Sequence, residues 1–318
     1  MFKKITHYFR GFKTNKTYTP MPQTVIRNAE ITSQLNENGY CIVDFLSATQ
    51  LQSLRDVNEK FCKTKDAENG AFLGVISKNI HDALHDILTA SLNKWFHDFK
   101  EINAFVIKTP GKSSFVPIHQ DVTAIDEEKY STTNVWIPLQ SIDEKNGVMY
   151  IVPRSHHIFF PYRCATIDPL TKNIEHVLQP YFIPIYLKAG QALFFDTRMF
   201  HYSLPNLSDQ NRVVTVCRVF PKEADMVAYF KEPGSDSKIE MWRCPDDFLI
   251  YKHTQNENER PLNATLLGYK VANTEPLTLE EFEERRKVLG IVSQQNDASS
   301  AAYLETLRHP FSVGYDHP

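Results

Sequence analysis

Hydrophobic and polar positions change rhythm twice along the chain. Up to Phe96 the rhythm is helical. A polar-rich segment from Asn28 to Asn38 ends at Gly39, a natural helix C-cap, and Ser47 can cap a helix whose buried stripe is Leu51, Leu54 and Val57. A further helix is expected from Ile80 to Phe96. Between the first two, Tyr40-Cys-Ile-Val-Asp-Phe45 is β-branched and aromatic and reads as a strand, so helices flanking one strand form an opening unit.

From Ile102 the rhythm shortens. Ile102 to Lys108, Asn134 to Leu139, Val148 to Val152, Phe182 to Leu187, Ala192 to Phe195 and Val213 to Phe220 are short apolar or alternating runs. Pro110-Gly111, Asn146-Gly147, Pro153, Ala189-Gly190 and Pro205-Asn206 punctuate them. Many short strands with few helices between them predict a sandwich or jelly roll, mainly β with flanking α-helices. Residues 222–275 are polar and mixed, without a readable order. Thr278-Leu-Glu-Glu281 is then a capping box, and Phe282, Leu289 and Gly290 complete a helix signal. Its acidic run of Glu280, Glu281, Glu283 and Glu284 suits the helix dipole and a solvated face. The tail from Ser293 to Pro318 is expected to form a last helix and a loosely held end. At the other terminus Phe2, Ile5, Phe9 and Phe12 recur at helical spacing among Lys3, Lys4, Arg10, Lys13 and Lys16. A short arm lying on the body of the protein is expected there, in preference to an interfacial membrane helix.

Composition narrows the class. Hydrophobic residues make up 42% and charged residues 23%, which excludes a collagen, a coiled-coil rod and a wholly disordered chain. Length alone, 318 residues, allows about two domains or one large β domain with extensions. A net charge of −3 argues against a nucleic-acid binder. Aromatics at 12% supply bulk for a large core. The five cysteines, Cys41, Cys62, Cys164, Cys217 and Cys244, contain no CxxC pair. Neither a disulfide framework nor a zinc–thiolate site is expected, and a reducing, cytoplasmic compartment is. No apolar run approaches the ~20 residues of a membrane span, so no stable membrane insertion is expected. The first residues lack the apolar stretch of a secretory signal.

The chemistry centres on His119-Gln-Asp121. Residues two apart on extended chain point to one side, so an imidazole and a carboxylate can take adjacent positions on a metal. His201 follows another strand-like run. Two His and one carboxylate leave three positions open on Fe(II), as in non-haem oxygenases, but open zinc sites use the same three groups. Arg212 starts a strand beyond the turn-rich Ser203 to Asn211 and can return close to His201. An arginine there suits a dicarboxylate that chelates a metal with its other end, with Ser203 donating a further hydrogen bond.

Taken in order, Leu35 to Leu46, His119-Gln-Asp121, Trp136-Ile-Pro-Leu139, Asn146-Gly147, Val152-Pro-Arg-Ser-His156, and Phe195-Asp-Thr-Arg-Met-Phe-His201 followed by Pro205-Asn206, Ser208 and Arg212 resemble the phytanoyl-CoA dioxygenase family of Fe(II)- and 2-oxoglutarate-dependent oxygenases. The resemblance spans roughly residues 30–220. It departs at Arg154, where the family often has Gly, which is expected to reshape a loop at the cavity mouth. It stops at Lys222, beyond which no motif matches.

The resemblance implies a double-stranded β-helix, a cupin-like jelly roll. It implies Fe(II) on His119, Asp121 and His201, 2-oxoglutarate held by Arg212 and Ser203, and dioxygen as co-reactant. The implied reaction hydroxylates an unactivated C–H bond of a small-molecule metabolite with release of succinate and CO2. Related halogenases lack the carboxylate ligand, so Asp121 favours hydroxylation. The implied organisation is a basic arm over 1–27, a dioxygenase domain over 28–221, and an extension over 222–318 packed on it as a lid or homodimer contact. Arg218, which alternation places on the face of Arg212, and Lys108 and Trp136 are the candidate substrate contacts; for Arg218, pairing with an acid at the barrel edge is the preferred alternative. A small polar substrate is expected. Two other readings stay open: a non-catalytic jelly-roll binding protein, and a zinc hydrolase using the same three ligands. His81 and His85 read as ordinary helix histidines, His156 and His157 as neighbours pointing different ways, and Cys164 and Cys217 lack a His/Asn arrangement for nucleophilic catalysis.

Overall fold

Asn28 starts the first helix by accepting the N–H groups of Glu30 and Ile31, and Gly39, at φ 85°, ends it. In the computed structural model, which describes residues 22, 24–62, 72–235, 237–251 and 256–294, this helix is α1 (Ala29–Asn38). Nearly all of the basic arm and the expected tail helix lie outside the described residues. After β1 (Tyr40–Asp44), Ser47 and Gln50 form a capping box for α2 (Ala48–Phe61). Next come β2 (Phe72–Val75), α3 (Lys78–Trp95) capped by Ser77, and β3 (Phe99–Lys108). The chain continues through β4 (Val116–His119), β5 (Thr133–Pro138), β6 (Met149–Ile151), α4 (Glu175–Leu178), β7 (Ile183–Ile185), β8 (Gln191–Asp196), β9 (His201–Ser203) and β10 (Arg212–Pro221). Beyond it lie β11 (Val227–Phe230), β12 (Lys238–Arg243), α5 (Phe248–Tyr251), β13 (Thr265–Val271) and α6 (Leu279–Leu289).

Ten of these strands build the jelly roll that the strand pattern and the resemblance led us to expect. A six-stranded sheet runs β1-β8-β5-β10-β3-β2, and a four-stranded sheet runs β4-β9-β6-β7, all pairings antiparallel. Alternation sorts the large sheet's side chains. Trp136, Leu193, Phe195 and Val214 join the small sheet in one core, whereas Val135, Ile137, Phe105 and Phe194 face α2 and α3. Leu54, Leu84, Leu88 and Leu92 seal that second layer with no exposed surface, each worth ~1.5–3 kcal/mol of burial.

Three features differ from expectation. Strand β1 does not stand apart in an opening helical unit; it pairs with β8, Tyr40 opposite Phe195. Val227–Phe230, Lys238–Arg243 and Thr265–Val271 form a third sheet, β11-β12-β13. Arg154 adopts φ 69°, the left-handed conformation that a glycine takes freely, and its guanidinium donates to Leu289 O at 3.0 Å and Glu37 Oε1 at 2.6 Å. That side chain therefore ties α1 to α6. Phe282 of α6 packs with Leu277 and Ile291 into the inter-sheet core.

Candidate metal centre

Backbone register assembles the cluster. His119 on β4 lies directly opposite His201 on β9, with ring centroids 4.1 Å apart. Each ring turns its Nδ1 to a backbone carbonyl, His119 to Pro117 O at 2.8 Å and His201 to Met199 O at 3.0 Å. Such contacts fix the tautomer and aim both Nε2 atoms inward. The Nε2 atoms lie 3.8 Å and 3.9 Å from Asp121 Oδ1, and one ligand atom from each residue falls within 4.8 Å of the others. Among the described residues this is the group of His, Cys, Asp and Glu side chains arranged to hold a metal ion.

The protonation states suit a cation. Burial, then His119, pushes His201 down to about 4, so the imidazole is neutral with its lone pair available. Burial opposes the charged form of Asp121, but Arg218, His201, His119 and Arg163 together outweigh it and hold the carboxyl below its usual range. Two imidazoles and a carboxylate fit a divalent metal with open positions.

A buried pair of basic side chains lies near the cluster. The β10–β3 register sets Arg212 opposite Lys108. Arg212 is 1% exposed; it donates to Gly147 O at 2.8 Å and stacks over the Trp136 ring at 5.3 Å, while its Nε has no hydrogen-bond partner. Among the described residues no carboxylate pairs with it. Burial disfavours its charged form and pushes it down to about 9. Lys108 donates to Ser203 O at 3.1 Å and Leu204 O at 2.6 Å, and burial, then Arg212, pushes it well below the usual lysine value. Ser203 is buried two residues after His201 on β9, hence on the same face. The unpartnered Arg212 Nε is a donor suited to a carboxylate.

Two local devices position it. Gly147 sits at φ 86°, and a Cβ there would stand 2.7 Å from Leu204 O and 3.2 Å from Lys108 Cδ. Asn206 donates to Lys108 O and Gln210 O and so folds the connection that returns Arg212 towards His201.

The remaining candidates separate. Arg218 reaches Asp121 Oδ2 at 3.2 Å, and Trp136 is buried beneath Arg212. Asn134, which sequence reasoning passed over, donates to the same Asp121 oxygen at 2.5 Å. Its signal is the cross-strand pairing with Arg218, which only the register reveals. His81 accepts the Asn103 N–H, and His85 pairs with Glu101. His156 and His157 do not point apart: they lie on a 3₁₀ turn, where strand alternation does not apply, and their rings sit 4.0 Å apart. Cys217 is buried, and burial pushes its thiol well up.

Residues 35–214 match the family model described as phytanoyl-CoA dioxygenase (PhyH). The chain is similar to phytanoyl-CoA dioxygenase 1 of Oryza sativa subsp. japonica, 28% identical over 112 residues, covering 34% of this chain and 40% of that protein. It is similar to phytanoyl-CoA dioxygenase of Arabidopsis thaliana, 29% identical over 114 residues, covering 34% of this chain and 39% of that protein. The match thus spans about two-fifths of these relatives' length. Among solved structures, the non-heme alpha ketoglutarate dependent carbocyclase SnoK from nogalamycin biosynthesis shares the fold at TM-score 0.50 and 16% identity, over 77% of this chain and 99% of that one. No helix of the described residues is long and apolar enough to cross a membrane.

Proposed function

The chain belongs to the phytanoyl-CoA dioxygenase family, and from that premise we propose that it is an Fe(II)- and 2-oxoglutarate-dependent oxygenase that hydroxylates an unactivated C–H bond of a small molecule, releasing succinate and CO2. The observation that carries this reading is the buried Arg212, with an unpartnered Nε, beside a cluster of two His and one Asp. A zinc hydrolase needs the cluster but has no use for the arginine, and a bare binding module needs neither.

His119 Nε2, Asp121 Oδ1 and His201 Nε2 would hold the iron, and Arg212 with Ser203 would grip the C5 carboxylate of 2-oxoglutarate. Bound iron supplies open positions at which the 2-oxo acid chelates and dioxygen is activated. The chain's own residues do the rest. The Pro117 and Met199 carbonyls lock both imidazoles. Arg212 would fix the reach of the cosubstrate through a charge-assisted contact that is stronger where water is excluded. Trp136 and the apolar inter-sheet core exclude water. Asp121 fills the third ligand position, which favours hydroxylation over halide transfer. Residues 222–318 would act as a lid or dimer contact on this domain.

Anaerobic titration with Fe(II) and then 2-oxoglutarate tests the reading, followed by succinate formation in air. The wild-type chain should bind both and form succinate slowly without substrate. Asp121→Ala should weaken iron binding. Arg212→Ala should keep iron and weaken 2-oxoglutarate about 10–100-fold, the worth of a charge-assisted hydrogen bond. Turnover with Zn(II) and none with Fe(II) would overturn it.

A further inference from the structure

The two oxygens of Asp121 have different surroundings. Oδ1 faces His119 Nε2 and His201 Nε2. Oδ2 accepts the Asn134 Nδ2–H at 2.5 Å and pairs with Arg218 at 3.2 Å. Arg218 also donates through Nε to Asn134 Oδ1 at 3.2 Å, and through another nitrogen to Val122 O at 3.3 Å. Arg218 and Asn134 are direct cross-strand partners on β10 and β5, so the pair is held by two central strands of the large sheet. The Asp121 backbone is pinned as well, its N–H to Thr197 O at 3.0 Å and its carbonyl to Arg163 Nε at 2.7 Å.

We infer that Arg218 and Asn134 are positioning residues that clamp Asp121 Oδ2 and leave the carboxylate one oxygen, Oδ1, for the metal. This rests on the function proposed above. A carboxylate free to turn about its C–C bond can take two metal positions with its two oxygens. Of the three positions that two His and one singly bound carboxylate leave open, one is then lost, and a chelating cosubstrate plus dioxygen needs all three. The clamp removes that option: turning Oδ2 towards the metal breaks two hydrogen bonds, one of them charge-assisted, inside a half-buried site. A carboxylate held by its outer partners also binds metal with less loss of freedom, and removing such partners costs typically 10–100-fold in metal affinity. The same geometry uses Arg218 on Asp121, so its guanidinium orients a ligand residue and does not meet a substrate acid.

The test is anaerobic titration of the full chain with Co(II) alone, read by its visible absorption, whose intensity falls as coordination number rises. Arg218→Gln and Asn134→Ala are compared with wild type and with Asp121→Ala, and folding of each is checked by circular dichroism. The expected result is a 10–100-fold loss of Co(II) affinity and an altered band in both clamp variants. Arg218→Lys, which keeps the charge and one donor, should recover part of the loss. In an Asp121→Ala background neither substitution should weaken Co(II) further, because the group they orient is gone. Equal losses with and without Asp121 would assign both residues to general stability and overturn the clamp. So would unchanged Co(II) affinity and spectrum with a raised KM for an organic substrate. Failure of the wild-type chain to bind Co(II) would instead sink the metal-site reading itself.

Discussion

Arg212 illustrates what the proposed function asks of the fold. It is a buried guanidinium with a carbonyl and an indole for company, and its unpartnered Nε is a polar atom out of water. Burying a charge without an opposite charge is costly, and apolar replacement of buried charges is often stabilising. Arg212→Met should therefore raise the stability of the ligand-free protein by about 1–2 kcal/mol in urea denaturation while weakening 2-oxoglutarate binding about 10–100-fold. Lower stability would mean that the Gly147 and Trp136 contacts outweigh the burial cost. His156 sets a different constraint. Burial pushes it from 6.5 to about 3, its Nε2 facing Asn36 O. The fold holds the neutral ring, so its contribution is fully present above pH 6.5. It is lost as pH falls towards 3, at about 1.4 kcal/mol per unit. His156→Gln keeps a donor for Asn36 O but does not titrate. Unfolding free energies at pH 7 and pH 5 should differ less in that variant than in the wild type, and an unchanged difference would place the acid sensitivity elsewhere.

Elements differ in how much of their cause they carry within themselves. Helix α6 is the instructive case, since Thr278 and Glu281 cap it reciprocally and Gly290 ends it, yet its place depends on Arg154 far along the chain. Arg154→Gly relieves a left-handed residue by ~1 kcal/mol and removes two hydrogen bonds of similar total worth. Global stability should change little, while hydrogen exchange of the α6 amides should quicken about 10-fold, because the loss is local. Equal exchange in both proteins would show that Phe282 alone anchors the helix. The same contrast explains what was legible. Helices α1, α2 and α6 announce themselves through Gly39, Ser47 and Thr278, α3 through its apolar spacing, and β3, β5, β8 and β10 through runs long enough to alternate. Strands β2, β4 and β9 have four residues or fewer, too few for a period, and exist because partners pair with them. Strand β13 is exposed along nearly its whole length, so it shows no buried stripe at all. At the site, His119, Asp121, His201 and Arg212 stood out as residue types in a recognisable order. Asn134 did not, because its role depends on an 84-residue jump to Arg218 that only the sheet register makes short.

At the scale of the molecule the candidate site is a seam. The small sheet contributes His119 and His201, the large sheet contributes Arg212, Lys108, Asn134 and Arg218, and Asp121 lies on the chain just after β4. A metal alone would engage the small sheet and Asp121. A dicarboxylate bound to that metal would reach Arg212 and so join the two sheets through one ligand. Because each ligand then organises part of the other's site, their affinities should be coupled, by the 5–150-fold typical of linked sites, and equally in both directions. Any ligand that binds the folded state alone adds about 2.7 kcal/mol at a concentration 100 times its Kd. Anaerobic thermal denaturation with Co(II), 2-oxoglutarate and both should thus show a joint shift larger than the sum of the separate ones. Arg212→Met should keep the Co(II) shift and lose the excess, since its large sheet no longer holds the far carboxylate. A joint shift equal to the sum in the wild type would mean that the two ligands occupy independent places, and that the seam does not act as one site.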